Sequence, residues 1–306
     1  MTIRIVFMGS PEFALPTLSA LAESYQMVGV ITQPDRASGR GRELKAPPVK
    51  ALALELNISV MQPEKLRAPE AMEQLRAWAP DLIVVAAFGQ ILKKDVLELP
   101  RYGCLNVHAS LLPRWRGAAP INAAILYGDD ETGVTVMQMD VGLDTGPMLV
   151  KKSIRIKPDD TAGSVISALS TLGADLLIEA LPDIISRKLT AQPQPAEGAT
   201  YAPMLKKEDG LLDFTHSAIE LERRVRAMNP WPGAWFEWKG SPLKVMRASI
   251  VRVEKSLVSG SRLIVEGRPA VMSADGALIL DEVQPAGKKS MSGKSFLSGA
   301  RDWESL

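Results

Sequence analysis

The feature that most restricts how this chain can fold is a rhythm. Between residue 3 and about residue 156, short continuous apolar runs alternate with segments of helical periodicity. Residues 3–8 (IRIVFM), 27–32 (MVGVIT), 82–87 (LIVVAA) and 104–108 (CLNVH) are strand candidates. Runs that are apolar at successive positions suit strands covered on both faces, and strands separated by helices build a parallel sheet. Among the intervening segments, Pro47 and Pro48 open one that carries Val49, Leu52, Leu54 and Leu56; proline is tolerated in a first helical turn. Residues 68–78 also place apolar side chains at helical spacing. Right-handed crossovers then gather the loops that follow these strands along one edge of the sheet, where binding residues are to be sought.

A long amphipathic segment follows at residues 161–181, with Val165, Leu169, Leu172 and Leu176 on one face and Thr161 placed to cap it. Pro182 is expected to kink or end this helix. Residues 192–202, with Pro193, Pro195 and Gly198, have the composition of a linker. The expected organisation is a first domain at 1–190, a linker at 191–207 and a second domain at 208–306. In that second domain a helix-like stretch at 217–228 precedes short strand-like runs at 234–238, 243–253, 263–265, 270–273 and 277–284, which predict a small antiparallel barrel.

Composition narrows the function classes. A length of 306 residues fits about two domains, and an apolar content of 46% supplies ordinary cores. The start of the chain lacks the basic, long-apolar and small-residue pattern of a signal peptide, and no uninterrupted apolar run reaches the roughly 18 residues of a membrane span. A cytoplasmic protein without a membrane partner is expected, and a monomer. The single cysteine, Cys104, excludes an internal disulfide and a multi-cysteine metal site, and the only histidines, His108 and His216, make a histidine-rich metal site unexpected. With a net charge of +1, any contact with nucleic acid has to be local.

Three segments carry chemistry. In Asn106-Val107-His108, residues two apart on a strand point the same way, so an amide and an imidazole project together near the strand's carboxyl end. Such a pair can hold the oxyanion that forms when an amine attacks an acyl carbon; a lone histidine at a strand end is equally at home as a partly buried structural residue. The segment GVTVMQMDVGLDTG (133–146) reads as a strand running into a loop with two acids, Asp140 and Asp144. Asp144 is the candidate to orient an imidazole and help move a proton, while Asp and Gly in such a loop also serve simple turn formation. The third is GRGRELKAPPVK (39–50), with Arg36 just before it and Arg40, Arg42 and Lys45 inside it. Residues 33–46 show no secondary-structure period, and clustered cations on a glycine-bearing loop suit a phosphate backbone as well as they suit a solvated loop.

Several features read as structural. Gly9-Ser10-Pro11 follows the first strand as a dinucleotide-binding turn would, but the Gly-x-Gly-x-x-Gly spacing is missing and Pro11 lacks a donor. Trp231, Trp235 and Trp238 and His216 could stack on bases, yet tryptophans in a small barrel commonly fill its core. Met137 and Met139 alternate as strand packing requires, and Cys104 reads as a buried strand residue.

The runs CLNVHASLLPRWRGAAP (104–120) and MDVGLDTGPML (139–149) resemble the catalytic core of folate-dependent formyltransferases. FMGSPEFALP, GRGRELKAPPVK, YAPMLKKEDGLLDF, RAMNPWPGAWF and GALILDEVQPAGKKSMSGKSFLSG narrow this, being similar to the methionyl-tRNA formyltransferase family over essentially the whole chain. Ser10 and Glu12 stand where that family often has Thr and Asp. The resemblance implies an α/β fold: a Rossmann-like, mostly parallel sheet with helices on both faces, plus a smaller carboxyl-terminal OB-like β-barrel domain. It implies Asn106, His108 and Asp144 as catalytic residues. Ser110, Leu111, Leu112 and Pro113 would contact the folate, and Phe88, Gly89, Gln90, Ile91 and Leu92 with Asp140, Val141 and Gly142 would line a pterin pocket. Arg36, Arg40, Arg42 and Lys45 would meet the tRNA acceptor end, with Lys206 and Lys207 as further tRNA contacts.

The implied reaction is direct transfer of the formyl group of 10-formyltetrahydrofolate to the α-amine of methionyl-initiator tRNA, with no metal and no covalent enzyme intermediate. The alternatives are a relative acting on a small molecule such as an amino-sugar nucleotide, a formyl-folate hydrolase, or a non-catalytic RNA-binding protein on the same scaffold. The basic loop and the second domain distinguish the first reading from the small-molecule enzymes, and the complete Asn106, His108 and Asp144 set distinguishes it from the last.

Overall fold

The computed structural model describes residues 2–38, 43–253 and 257–304. They divide into two compact units: Met1–Pro120 with Glu131–Arg155 and Ile166–Ala202, and Ile121–Asp130 with Ile156–Val165 and Pro203–Leu306. The second unit thus draws two short segments from between stretches of the first.

The first unit contains β1 (Arg4–Gly9), α1 (Leu15–Ser24), β2 (Gln26–Ile31), β3 (Arg36–Ser38), β4 (Glu43–Lys45), α2 (Pro48–Glu55), β5 (Val60–Met61), α3 (Pro69–Ala77), β6 (Leu82–Ala86), α4 (Lys94–Leu97), β7 (Cys104–His108) and β8 (Arg116–Gly117). After α5 (Pro120–Tyr127) come β9 (Glu131–Gln138), β10 (Met148–Arg155), α6 (Ala162–Ile185) and β11 (Tyr201–Ala202). Seven strands form one sheet in the order β10-β9-β7-β6-β1-β2-β5. The four apolar runs are its β1, β2, β6 and β7. Every pairing from β7 across to β5 is parallel, and β9 and β10 add an antiparallel edge. The reason for the continuous apolar pattern is visible in burial: Ile5 to Met8 and Leu82 to Ala86 are all buried.

Helix boundaries follow local chemistry. Pro48 opens α2, and the helix buries Val49 and Ala53, half-buries Leu52 and leaves Leu54 exposed, as is Leu56 just past its end. In α3, Ala71, Met72 and Leu75 form the buried face. Thr161 caps α6 as expected, its Oγ1 accepting the Ser164 N–H at 3.2 Å. Pro182 does not end α6, which runs on to Ile185. The proline costs one backbone donor, and the buried Leu181 and Ile184 on either side hold the turn in place.

The sequence shows no uninterrupted span-length apolar run, yet α6 is long and apolar enough to cross a membrane by length and mean hydropathy, with Asp175 and Glu179 outside its buried face. Half of its apolar window is buried within the protein, as a core helix requires. The packing is close at Gly173, where an added Cβ would lie 2.7 Å from Val107 Cγ1 of β7 and 3.4 Å from Val134 of β9. Glycine at this point lets the helix rest directly on the sheet.

The second unit is built on α7 (Ala218–Ala227), β12 (Ala234–Trp238), β13 (Ser241–Val251), β14 (Arg262–Val265), β15 (Arg268–Met272), β16 (Ala277–Pro285), β17 (Met291–Ser292) and α8 (Gly293–Gly299). Its strands form an antiparallel sheet in the order β12-β13-β16-β15-β14, with β17 on β16. Among the described residues no pairing joins β12 to β14. Ser217 and Glu220 make a reciprocal capping box on α7. That helix also collects the early segments: Ala227 O accepts from Asn122 Nδ2 at 2.7 Å, and Arg226 Nη1 donates to Asp160 O at 3.1 Å. Trp238, Phe296 and Trp303 pack edge to face in the core, whereas Trp231 is exposed.

Candidate functional site

The centre of the first unit's site is β7. Its alternation sends Val107 towards α6 and leaves Asn106 and His108 on the opposite face, both nearly buried. After His108 the chain turns through residues 109–117. Thr135 of β9 fixes this turn: its Oγ1 donates to Ser110 O at 2.7 Å and accepts from Leu112 N at 3.1 Å. The Ser110 hydroxyl donates to Arg114 O at 2.6 Å. Trp115 adopts a positive φ of 60°, and its carbonyl lies 3.0 Å from His108 Nε2. A carbonyl only accepts, so Nε2 carries the hydrogen and Nδ1 is the ring nitrogen left for chemistry.

Asp144 closes the cluster. One carboxylate oxygen, Oδ1, accepts from Asn106 Nδ2 at 3.2 Å; the other, Oδ2, accepts from Gly117 N at 2.8 Å and lies 3.7 Å from His108 Nδ1. The last distance is beyond a hydrogen bond. Asp144 sits at φ 52°, in the left-handed region that aspartate tolerates better than most residues. Gly117, at φ 108°, approaches so near to β11 that an added Cβ would meet Ala202 O at 2.7 Å. The three residues singled out on the sequence are therefore side by side.

The surroundings include residues that sequence reasoning missed. Gln194 Nε2 donates to the carbonyls of Asp144 and Gly146, each at 2.8 Å, while its Oε1 accepts from Arg116 Nε and Nη2 at 3.0 and 2.8 Å. Thr200 accepts from Trp115 N through Oγ1 at 2.9 Å, and its carbonyl accepts from Arg116 N at 2.9 Å. Gln192 exchanges two backbone hydrogen bonds with Met148. The linker-like stretch is thus tied to the site along its length. Its proline-rich composition hides this, and a partner that acts through a backbone carbonyl, as Trp115 does, leaves no side-chain signal.

The residues assigned to folate fall in two groups. Val85 lies opposite Asn106 in the parallel register, so the segment after β6 leaves the sheet at the edge where Ser110 to Pro113 do. Within it Phe88 and Leu92 belong to the core, Gln90 braces Leu66 N and Pro63 O, and Gly89 and Ile91 face outward. Leu112 is buried; Leu111 and Pro113 are half-buried. In the second loop Val141 and Gly142 are exposed, and Asp140 binds Gly142 N at 3.0 Å and Thr145 Oγ1 at 2.7 Å, shaping its own turn. Cys104 is buried, and burial pushes its thiol up to about 12.

The basic segment differs from its expected form. Arg36–Ser38 and Glu43–Lys45 pair as antiparallel β3 and β4, with Arg36 opposite Lys45. Short range explains the missed signal: three-residue strands give alternation no room to show. Arg36 reaches Gln33 Oε1 at 3.4 Å, and Leu44 beside Lys45 is exposed. Arg40 and Arg42 lie outside the described residues. Lys206 and Lys207 belong to the second unit, where the Lys206 N–H donates to Asp209 Oδ2 at 2.6 Å and Lys207 is exposed. His216 is held at a turn by Asp213 O, 3.1 Å from Nδ1. Among the described residues no three His, Cys, Asp or Glu side chains gather as a metal-binding group.

Residues 3–181 match the formyl transferase family model, and residues 204–301 match that of the formyl transferase carboxyl-terminal domain. The methionyl-tRNA formyltransferase of Myxococcus xanthus is 50% identical over 298 residues, 97% of this chain and 95% of the relative. That of Halorhodospira halophila is 50% identical over 303 residues, 98% and 97% of the two chains. The chain belongs to the methionyl-tRNA formyltransferase family. Solved structures in the wider formyltransferase group share its fold at lower identity. WlaRD, a sugar 3N-formyl transferase crystallised with dTDP and 5-N-formyl-THF, is 19% identical with a TM-score of 0.67, over 94% of this chain and 100% of that one. The N-formyltransferase of Helicobacter canadensis, in complex with folinic acid and dTDP-3-aminofucose, is 18% identical with a TM-score of 0.66, over 92% and 99%. Family membership gives formyl transfer as the chemistry.

Proposed function

We propose that this enzyme transfers the formyl group of 10-formyltetrahydrofolate to the α-amine of methionyl-initiator tRNA, giving formylmethionyl-tRNA for translation initiation. The observation that carries the reading is identity of one half, over nearly the full chain, with methionyl-tRNA formyltransferases, which the sugar-modifying relatives do not approach. The cluster geometry supports it.

In this reading the amine nitrogen bonds to the formyl carbon, the bond from that carbon to N10 of the folate breaks, and one proton passes from the amine to N10. The tetrahedral intermediate carries an oxyanion. Asn106 can meet it, because its amide has a second N–H beyond the one given to Asp144. His108 can take the amine's proton on Nδ1 and then donate from that atom, with the Asp144 carboxylate 3.7 Å away to stabilise the imidazolium. The folate would lie against Ser110 to Pro113, with Phe88 to Leu92 and Asp140 to Gly142 around the pterin. The exposed apolar Ile91 and Val141 suit a flat heterocycle. Arg36, Arg40, Arg42 and Lys45 would receive the acceptor end and Lys206 and Lys207 more of the tRNA. We place the enzyme in the cytoplasm as a monomer, without a membrane partner and with domains at 1–190 and 208–306.

Incubating the purified protein with 10-formyltetrahydrofolate and charged initiator tRNA tests this. Formylmethionyl-tRNA is the expected product. Its absence, or formylation of an amino-sugar nucleotide in a parallel reaction, would replace the reading.

A further inference from the structure

We propose that Gln194 is a positioning residue for formyl transfer, holding the Asp144 backbone in the geometry that the reaction uses; this rests on the functional reading above. The orientation of the Gln194 amide is set by its partners. Arg116 offers only donors and the carbonyls of Asp144 and Gly146 only accept, so Oε1 must face the guanidinium and Nε2 the loop. Both hydrogens of Nε2 are thereby used on the loop that carries Asp144. The buried Arg116 guanidinium polarises the amide and strengthens donation from Nε2.

The need for a clamp follows from the backbone it grips. Asp144 has a left-handed φ of 52°, a conformation that persists in a non-glycine residue when its surroundings over-determine it. Its carboxylate meets Asn106 and Gly117 only while that backbone is held, and the carbonyls of residues 144 and 146 are held together by one NH2 group. Arg116 and Gly117 are neighbours on β8. The same two-residue strand therefore anchors Gln194 and supplies a donor to the Asp144 carboxylate. Asp144 is gripped at its backbone and at its side chain from a common base.

Two variants separate positioning from general stability. Gln194→Met keeps the shape and removes both polar functions, and Gln194→Glu keeps the acceptor towards Arg116 and loses the donor. Both are expected to lower kcat by about 10- to 100-fold, as a displacement near 1 Å at a reacting group does, with KM for tRNA and for the formyl donor near parental. In Gln194→Glu, kcat relative to the parent enzyme should rise as pH falls, because the protonated carboxyl regains one O–H donor; Gln194→Met should show no such recovery. With only two histidines in the chain, ring 15N spectra give a readout that needs no substrate. The His108 resonances should move in both variants while those of exposed His216 stay. Unchanged kcat and unmoved His108 resonances in Gln194→Met would overturn the proposal, as would equal losses in both variants that are independent of pH and track a fall in Tm. A parent enzyme inactive on tRNA would instead overturn the functional reading, leaving the spectra to judge the clamp.

Discussion

The Asn106, His108 and Asp144 cluster and the β3–β4 hairpin handle polar groups in opposite ways. In the cluster, each side chain is nearly buried and its polar atoms are aimed by named partners: Trp115 O fixes one imidazole nitrogen, Gly117 N and Asn106 fix the carboxylate, and Gln194 fixes the loop behind it. On the β3–β4 pair, Arg36 makes one long hydrogen bond among the described residues, to Gln33, and its neighbour across the ladder is another cation, Lys45. Under the proposed function, the difference would follow from what each recognises. A developing oxyanion is a single point, and donors stabilise it only if they are already in place. A phosphate backbone is a diffuse field of charge that mobile cations meet by displacing counterions.

Substitutions can break this contrast, and the largest effect belongs in the cluster. His108→Ala should lower kcat by about 10²- to 10⁴-fold, the range for a positioned acid–base group, with a much smaller change in folate binding. Rapid-quench turnover set beside equilibrium folate titration would check this; parallel losses in both would deny His108 its role. Asn106→Ala should cost about 10²- to 10³-fold in kcat, as removal of one oxyanion donor does. A loss confined to KM would assign Asn106 to binding instead.

The basic segment should respond differently. Arg42→Ala, and to a lesser extent Arg36→Ala, should raise KM for tRNA and flatten the salt dependence of kcat/KM by about one unit of log–log slope for each phosphate no longer neutralised, leaving kcat near parental. An unchanged salt slope would remove the residue from the tRNA interface. The smallest effect is expected at Asp140, which works within its own turn. Asp140→Asn should raise KM for the formyl donor by about 2- to 5-fold, the worth of one exposed hydrogen bond, and leave the tRNA parameters alone. A kcat loss comparable to that of Asp144→Asn would erase the distinction between the two loop acids.

The same contrast marks what can be read from the residues alone. Strands β1, β2, β6, β7 and β12 are legible within a residue or so, because burial on both faces or strict alternation writes itself into composition. The facing of Asn106 with His108 is legible because a strand's period is fixed. What is not legible depends on non-local geometry. Leu54 follows the buried Ala53 in α2 but turns away from the core, and Leu56 lies past the helix end. Pro182 sits inside a helix because buried neighbours outweigh one missing hydrogen bond. Gln194 and Thr200 lie in a stretch whose prolines signal only an extended chain, and extended chain can cross a site as well as join two domains.

Behind the cluster stands the meeting of Gly173 with Val107. The long helix works as an anvil against the reverse side of the reacting strand, and its surface there has been shaved to a hydrogen atom. Gly173→Ala would then act as a shim, pressing Val107 and so advancing Asn106 and His108 towards the substrate by the small distance that one methyl demands. If the cluster acts as proposed, its alignment can be tuned from the far side of the sheet, by a residue packed behind the strand.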